Sequence, residues 1–186
     1  MKTEYEARIL EIDPAATAAL ILSRGGQAHG EKLMRRYVYD IVPGDEARWI
    51  RLRDTGEEAT LTVKEILSDA IDGTRETEVR VDDFETTNEL LGRLGFKPKS
   101  YQENRRTSFM LKGAQLEIDH WPLIPPYLEI EAESESEVVN VAELLGYARS
   151  DLTGENTIKI YRRYGYDLSE IPLLRFSDRP PETPGP

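Results

Sequence analysis

Acidic side chains occur in pairs, two residues apart, within two stretches in which polar and apolar residues alternate. Glu4 and Glu6 form the first pair, and Glu129 and Glu131 form the second. Side chains two apart in a β-strand share a face and lie about 6.6 Å apart, at about 3.3 Å per residue. Carboxylates placed in this way suit a hard divalent cation.

Basic side chains show the same spacing in other predicted strands. Arg51 and Arg53 share one face, with Ile50 and Leu52 on the other. For any single strand, this alternation is also what a one-sided sheet shows when its charged face meets water. Pairs of like charge repeated on several strands instead favour an interior site, where cations meet an anionic ligand.

Equal numbers of acids and bases are predicted to face this interior. The acids are Glu4, Glu6, Glu78, Asp119, Glu129 and Glu131, and the bases are Arg8, Arg51, Arg53, Lys64, Arg106 and Lys159. A terminal triphosphate would add a charge of roughly −4 to −5. Two divalent cations would return about +4. The interior therefore has the charge balance of a triphosphate and metal site.

The elements that would position these residues are mostly strands joined by turns. Strands are predicted at 3–12, 31–42, 47–54, 58–66, 74–82, 99–111, 114–120 and 127–133, and helices at 14–23, 83–94, 135–146 and 155–164. The pattern predicts an α+β fold built on an eight-stranded antiparallel β-barrel with a polar interior. The apolar strand faces would point outward, under the flanking helices.

Length and composition limit the classes of protein that fit. The chain has 186 residues, a formal net charge of −11 and no cysteine. One domain over 1–176 and a disordered, proline-rich tail over 177–186 are expected. Disulfides, zinc-thiolate sites and thiol nucleophiles are excluded. The acidity argues against a duplex nucleic-acid partner. With no signal peptide and no membrane-spanning run, a soluble, cytoplasmic protein is expected.

Several motifs together resemble the CYTH superfamily, the triphosphate tunnel metalloenzymes. Glu4-x-Glu6-x-Arg8 resembles the opening ExExK signature of that family. The resemblance runs in order over residues 3–165. It continues through Trp49–Arg53, Thr62–Lys64, Arg75–Glu78, Arg106–Phe109, Leu116–Asp119, Leu128–Glu131 and Lys159–Tyr161.

The resemblance implies a tunnel that binds a triphosphate-bearing small molecule with Mg²⁺ or Mn²⁺, and a possible homodimer. It implies metal ligation by Glu4, Glu6, Asp119, Glu129 and Glu131. It implies substrate binding by Arg8, Arg51, Arg53, Lys64, Glu78, Arg106 and Lys159. The residues implied to be catalytic are Glu4, Glu6, Arg8 and Lys159. Glu76 shares a face with Glu78, so the choice between them stays open.

Two departures from the family pattern bear on the reaction. Arg8 replaces the signature lysine and cannot readily act as a base. Asn104 replaces a lysine of the class IV adenylyl cyclase pattern, two residues before Arg106. The leading hypothesis is a metal-dependent phosphohydrolase acting on tripolyphosphate, a nucleoside triphosphate or thiamine triphosphate. The alternatives are an adenylyl cyclase and a domain that binds triphosphate or polyphosphate without turnover.

Overall fold

The computed structural model describes residues 1–176, so the predicted tail at 177–186 lies outside the described residues. The strands are β1 (Lys2–Ile9), β2 (Gln27–Asp40), β3 (Arg48–Asp54), β4 (Ala59–Ile66), β5 (Thr74–Val81), β6 (Pro98–Leu111), β7 (Ala114–His120), β8 (Tyr127–Ala132) and β9 (Leu173–Leu174). The α-helices are α1 (Pro14–Ser23), α2 (Phe84–Arg93), α3 (Glu135–Leu144) and α4 (Thr157–Arg163), with short 3₁₀ turns at Arg149–Asp151 and Leu168–Glu170.

Eight of the strands close into an antiparallel barrel, as predicted. Around the ring the order is β2-β3-β4-β5-β1-β8-β7-β6, and β6 pairs with β2 to close it. The ninth strand, β9, is an addition that pairs in parallel with β6 at Tyr101 and Gln102. Closure leaves no free edge among the eight strands. It also fixes which strands face one another across the lumen, since β2 lies opposite β1 and β3 opposite β8.

The outer face of β1, β7 and β8 is apolar and packs under α1 and α3. Leu116, Leu128 and Ile130 are fully buried there, against Val138 and Val141 of α3 among others. Each fully buried aliphatic side chain contributes about 1.5–3 kcal/mol. Because these strands alternate in period two, burying the apolar residues on the outside sends the charged residues into the lumen.

Two further apolar clusters cover the rest of the barrel. Leu52 and Tyr39 pack under Phe84 of α2. Trp121 and Tyr161 belong to a cluster at the end of the barrel that carries α4. The prediction of a barrel with a polar interior and an apolar outer face under the helices is therefore confirmed.

The helices begin at residues whose side chains cap them. Asp13 accepts a hydrogen bond from the backbone N–H of Ala16 at 2.9 Å, and Pro14 follows as the first helical residue. Asp83 caps α2 in the same way. Such caps satisfy backbone donors that a helix leaves free, and they fix where each helix starts.

Two strands differ from their predicted limits by more than one residue. The first strand ends at Ile9, before Ile12, because Glu11 has φ of 58° and turns the chain toward α1. The second begins at Gln27, before Glu31, because β6 is long enough to pair with it past a bulge at Gly30. In the described part of the chain, none of the helices has the length and apolar character that crossing a bilayer requires.

Candidate functional site

The lumen of the barrel is a polar cavity of about 490 Å³ to which all eight barrel strands contribute side chains. Most of the charged residues predicted to face an interior line it. Alternation brings them there, since each lies two residues from its predicted neighbour on the same strand face. The charges within the cavity are not mixed evenly.

One side of the cavity, which we term the acidic wall, is formed by Glu4 and Glu6 of β1 and Glu129 and Glu131 of β8. Strand register places Glu6 directly opposite Glu131. Burial, followed by repulsion from Glu129 and Glu6, raises the pKa of Glu131. Burial raises the pKa of Glu4 to about 7, although Lys64 opposes this with a 2.7 Å ion pair. Burial and neighbouring carboxylates thus disfavour the ionised form of two side chains in the acidic wall.

The other side, which we term the cationic wall, is formed by Arg51 and Arg53 of β3 and Lys64 of β4. Repulsion from Arg51, together with burial, lowers the pKa of Arg53 to about 9. Glu78 moderates this repulsion from 3.3 Å to Arg51 and 3.6 Å to Arg53. Because β3 lies opposite β8, the arginines of β3 face the glutamates of β8 across the lumen.

Arg8 and Arg106 differ from the arginines of the cationic wall, because each of them contacts several carboxylates. Arg8 contacts Glu129 at 2.6 Å and Glu6 at 3.2 Å. Arg106 forms a bidentate pair with Asp119 at 2.8 and 2.6 Å. It also contacts Glu129, at 3.0 Å, and Glu117.

These pairs shift the pKa values of both arginines and of their partners. Burial would lower the pKa of Arg8 and of Arg106, but the surrounding carboxylates outweigh it and raise both. Burial would raise the pKa of Glu129, but Arg8 and Arg106 outweigh it and hold that pKa well below its usual range. The carboxylates around Arg8 thus favour its protonated form.

The CYTH domain family model matches residues 2–163 of the sequence, which is most of the chain. The chain belongs to the CYTH domain family. The resemblance noted in the motifs is thereby confirmed. A search of curated proteins gave no match.

Solved structures share the CYTH barrel at low sequence identity. The PH1012 protein from Pyrococcus horikoshii OT3 is 23% identical, with a TM-score of 0.72 over 84% of this chain and 98% of that chain. A candidate adenylate cyclase from Vibrio parahaemolyticus is 13% identical, with a TM-score of 0.71 over 87% and 98%. A Hippeastrum protein described as having a dominant triphosphatase activity is 18% identical, with a TM-score of 0.59 over 88% and 96%. At these identities the likeness establishes the fold.

Two residues predicted from the CYTH motifs are not brought to the cavity surface. Lys159 lies on α4 at one end of the barrel, and its ammonium contacts both carboxylate oxygens of Asp69 at 2.6 Å. Asp119 is fully buried behind the cavity, where it accepts hydrogen bonds from Arg106 and, at 2.8 Å, from Asn104. Asn104 is likewise fully buried.

The sequence left open whether Glu76 or Glu78 faces the interior. Both side chains line the cavity. Glu78 accepts a hydrogen bond from Thr62 at 2.6 Å and sits beside the arginines of the cationic wall. Glu76 lies 3.5 Å from Lys64, and one of its buried oxygens has no hydrogen-bond donor within residues 1–176. Glu76 is thus the carboxylate nearer to Glu4.

Arg36 lines the cavity but is absent from the residues predicted from sequence. Arg36 was missed because two arginines, Arg35 and Arg36, are adjacent, and that pair alone does not indicate which side chain faces inward. The signal lay in the following residues, because Tyr37 and Tyr39 belong to the outer face under α2. Alternation then turns Arg36 and Val38 into the lumen.

The carboxylates of the acidic wall have the chemistry of a hard-cation site. Within residues 1–176, no three or more histidine, aspartate or glutamate side chains stand ready in the geometry of a metal site. Glu6 and Glu129 are engaged by Arg8, and Glu4 is engaged by Lys64. Burial first, and then repulsion from neighbouring carboxylates, raises the pKa of Glu4 and of Glu131. A divalent cation would offset both effects, so the residues fit such an ion.

Proposed function

We propose that this CYTH protein is a divalent-metal-dependent phosphohydrolase that acts on a triphosphate substrate. The observation that carries the proposal is that Arg51 and Arg53 on β3 face Glu129 and Glu131 on β8 across one cavity. Repulsion from Arg51 lowers the pKa of Arg53 on one side, and burial together with neighbouring carboxylates raises the pKa of Glu131 on the other. A neutral or singly charged ligand would relieve neither side. A polyanion bound together with divalent cations relieves both.

The cationic wall would bind the phosphates directly. Arg51 and Arg53 come from one strand, two residues apart, and point into the same part of the lumen. Their guanidinium groups can each donate two hydrogen bonds to phosphate oxygens. Lys64 would add a point charge between these arginines and Glu4. Binding would replace the repulsion around Arg53 with charge-assisted hydrogen bonds.

The acidic wall would hold Mg²⁺ or Mn²⁺ through Glu4, Glu6 and Glu131. When bound, such an ion neutralises phosphate charge and lowers the pKa of a coordinated water. Arg8 would position the carboxylates, since it already contacts Glu6 and Glu129. Phosphoryl transfer depends mainly on positioning and charge stabilisation, which these side chains would supply without a covalent intermediate.

A product assay tests the proposal. Phosphate release would be measured from tripolyphosphate, ATP and thiamine triphosphate, with Mg²⁺, with Mn²⁺ and with chelator, while cyclic AMP and pyrophosphate are followed in the ATP samples. Phosphate release that needs the metal supports the phosphohydrolase. Cyclic AMP with pyrophosphate would establish the adenylyl cyclase instead. Triphosphate binding without any turnover would establish the binding domain.

A pair of variants ties the assay to the acidic wall. Glu129→Gln should lower turnover by at least a hundredfold, because it removes a charge that Arg8 and Arg106 both contact. Glu143→Gln is the matched control, since Glu143 lies on the exposed side of α3. Equal activity of the two variants would contradict the placement of the site.

A further inference from the structure

Arg36 is a buried cation of the lumen that has no carboxylate partner among residues 1–176. Its side chain makes a hydrogen bond to the side-chain oxygen of Asn104, and its guanidinium lies 4.6 Å from the ring centre of Trp121. The Nε atom is buried and makes no hydrogen bond within the described chain. The remaining arginines of the lumen, Arg8 and Arg106 above all, have carboxylates within salt-bridge distance.

The neighbours of Arg36 make its position costly. Burial comes first, followed by the positive charges of Arg51, Arg53 and Arg106, and together they lower the pKa of Arg36 to about 9. An isolated buried charge is among the most unfavourable groups in a protein interior. The neutral oxygen of Asn104 and the face of Trp121 compensate for only part of that cost. The site is therefore short of one anionic group.

The geometry points to Arg36 as a phosphate-binding residue of the tunnel, held toward the substrate by Asn104 and Trp121. This inference rests on the proposed function, and it names a contact that the motifs do not assign. Strand register places Arg36 directly opposite Arg53 on the adjoining strand. Arg36 and Arg53 therefore approach the lumen side by side, and a phosphate between them would be contacted from two strands.

Asn104 and Trp121 would act as positioning residues. The guanidinium of Arg36 lies over the ring of Trp121, and one of its terminal nitrogens donates a hydrogen bond to Asn104. The amide of Asn104 is itself oriented by its 2.8 Å donation to Asp119. Asp119, Asn104 and Arg36 thus form a chain that ends at a guanidinium lining the cavity. An ordered guanidinium loses less entropy when it binds phosphate.

Arg36→Met tests the inference against Arg35→Met. Arg35 is the next residue on β2, but its side chain pairs with Asp54 and Glu85 outside the cavity. Tripolyphosphate affinity would be measured by calorimetry in chelator, and KM and kcat would be measured in Mg²⁺. Arg36→Met should raise Kd and KM about 10- to 100-fold, as expected for hydrogen bonds to charged groups. Arg35→Met should leave both within about twofold, and Arg36→Lys should recover part of the loss.

Thermal unfolding separates binding from a structural role. Without tripolyphosphate, Arg36→Met should unfold at the same temperature as the wild type or higher, because an uncompensated charge is removed. With tripolyphosphate, its stabilisation should be much smaller than that of the wild type. A lower unfolding temperature with undiminished stabilisation by tripolyphosphate would overturn the inference in favour of a structural arginine.

The outcomes also separate this inference from the proposed function. If the wild type hydrolyses tripolyphosphate and Arg36→Met has the same Kd and KM, the inference about Arg36 fails while the phosphohydrolase stands. If the wild type neither binds nor hydrolyses any triphosphate, both fail. If Arg36→Met cannot be obtained folded, an Arg36→Lys variant with wild-type unfolding temperature, Kd and KM would overturn the requirement for a guanidinium at this position.

Discussion

Replacing Arg106 by methionine should destabilise the protein far more than removing an exposed arginine. Arg106 contacts Glu117, Asp119 and Glu129, and its side chain is 12% exposed. Breaking such a buried pair from one side costs about 3–5 kcal/mol, because it leaves buried carboxylates uncompensated. For a chain of this size, about 1 kcal/mol shifts the unfolding temperature by roughly 2–4 °C. The expected fall is therefore about 6–20 °C.

The matched control is Arg149→Met, because Arg149 is 63% exposed and pairs with Glu135 on the surface. Exposed pairs contribute at most about 1 kcal/mol. Thermal and urea unfolding of the two variants and the wild type provide the comparison. Equal losses of stability in Arg106→Met and Arg149→Met would refute the description of a buried ionic cluster.

The loss caused by Arg106→Met should also depend on pH. Arg8 and Arg106 hold the pKa of Glu129 below its ordinary value of 4.5, overcoming the opposite effect of burial. A carboxylate whose pKa is lowered by folding stabilises the native state above its unfolded pKa, and that contribution is lost as pH falls through the folded pKa. The stability gap between variant and wild type should thus be widest above about pH 5 and narrow in acid.

Three further variants test separate parts of the site. Arg53→Gln should raise the Kd for tripolyphosphate about tenfold or more, whereas Arg80→Gln, whose side chain is 82% exposed, should leave it unchanged; calorimetry decides. Glu4→Gln, in chelator, should remove a fall in stability between about pH 5 and 7, since folding raises the pKa of Glu4 to about 7 and the native state holds the extra proton only below that value. Lys159→Met should change kcat/KM by less than about threefold, because Lys159 pairs with Asp69 at the end of the barrel; a loss above about tenfold would instead support the catalytic role that the family resemblance implies.

The barrel could be predicted from the sequence because apolar and charged residues alternate regularly along several strands. Apolar residues such as Leu128 and Ile130 alternate with charged residues such as Glu129, so one register satisfies both faces. The start of α1 could also be predicted, from Asp13-Pro14. The limits of β1 and β2 were harder, because the positive φ of Glu11 and the bulge at Gly30 depend on tertiary pairing.

The membership of the cavity could be predicted, but the partners of each charge could not. Sequence places Arg8, Arg106 and Arg53 on inner faces without saying which of them meets a carboxylate. That difference depends on register, which sets Arg106 opposite Asp119 and Arg53 opposite Arg36. The position of Lys159 depends on how α4 packs at the end of the barrel, and no local pattern encodes that packing.

The central claim is that the acidic wall binds a divalent cation while the cationic wall binds phosphate. The most direct measurement is the rate of tripolyphosphate hydrolysis as a function of Mg²⁺ concentration in the wild type, Glu131→Gln and Arg53→Gln. We expect Glu131→Gln to need at least about tenfold more Mg²⁺ for half-maximal rate, and Arg53→Gln to raise KM even at saturating Mg²⁺. Hydrolysis that proceeds equally in chelator, or Glu131→Gln with an unchanged Mg²⁺ dependence, would contradict the account.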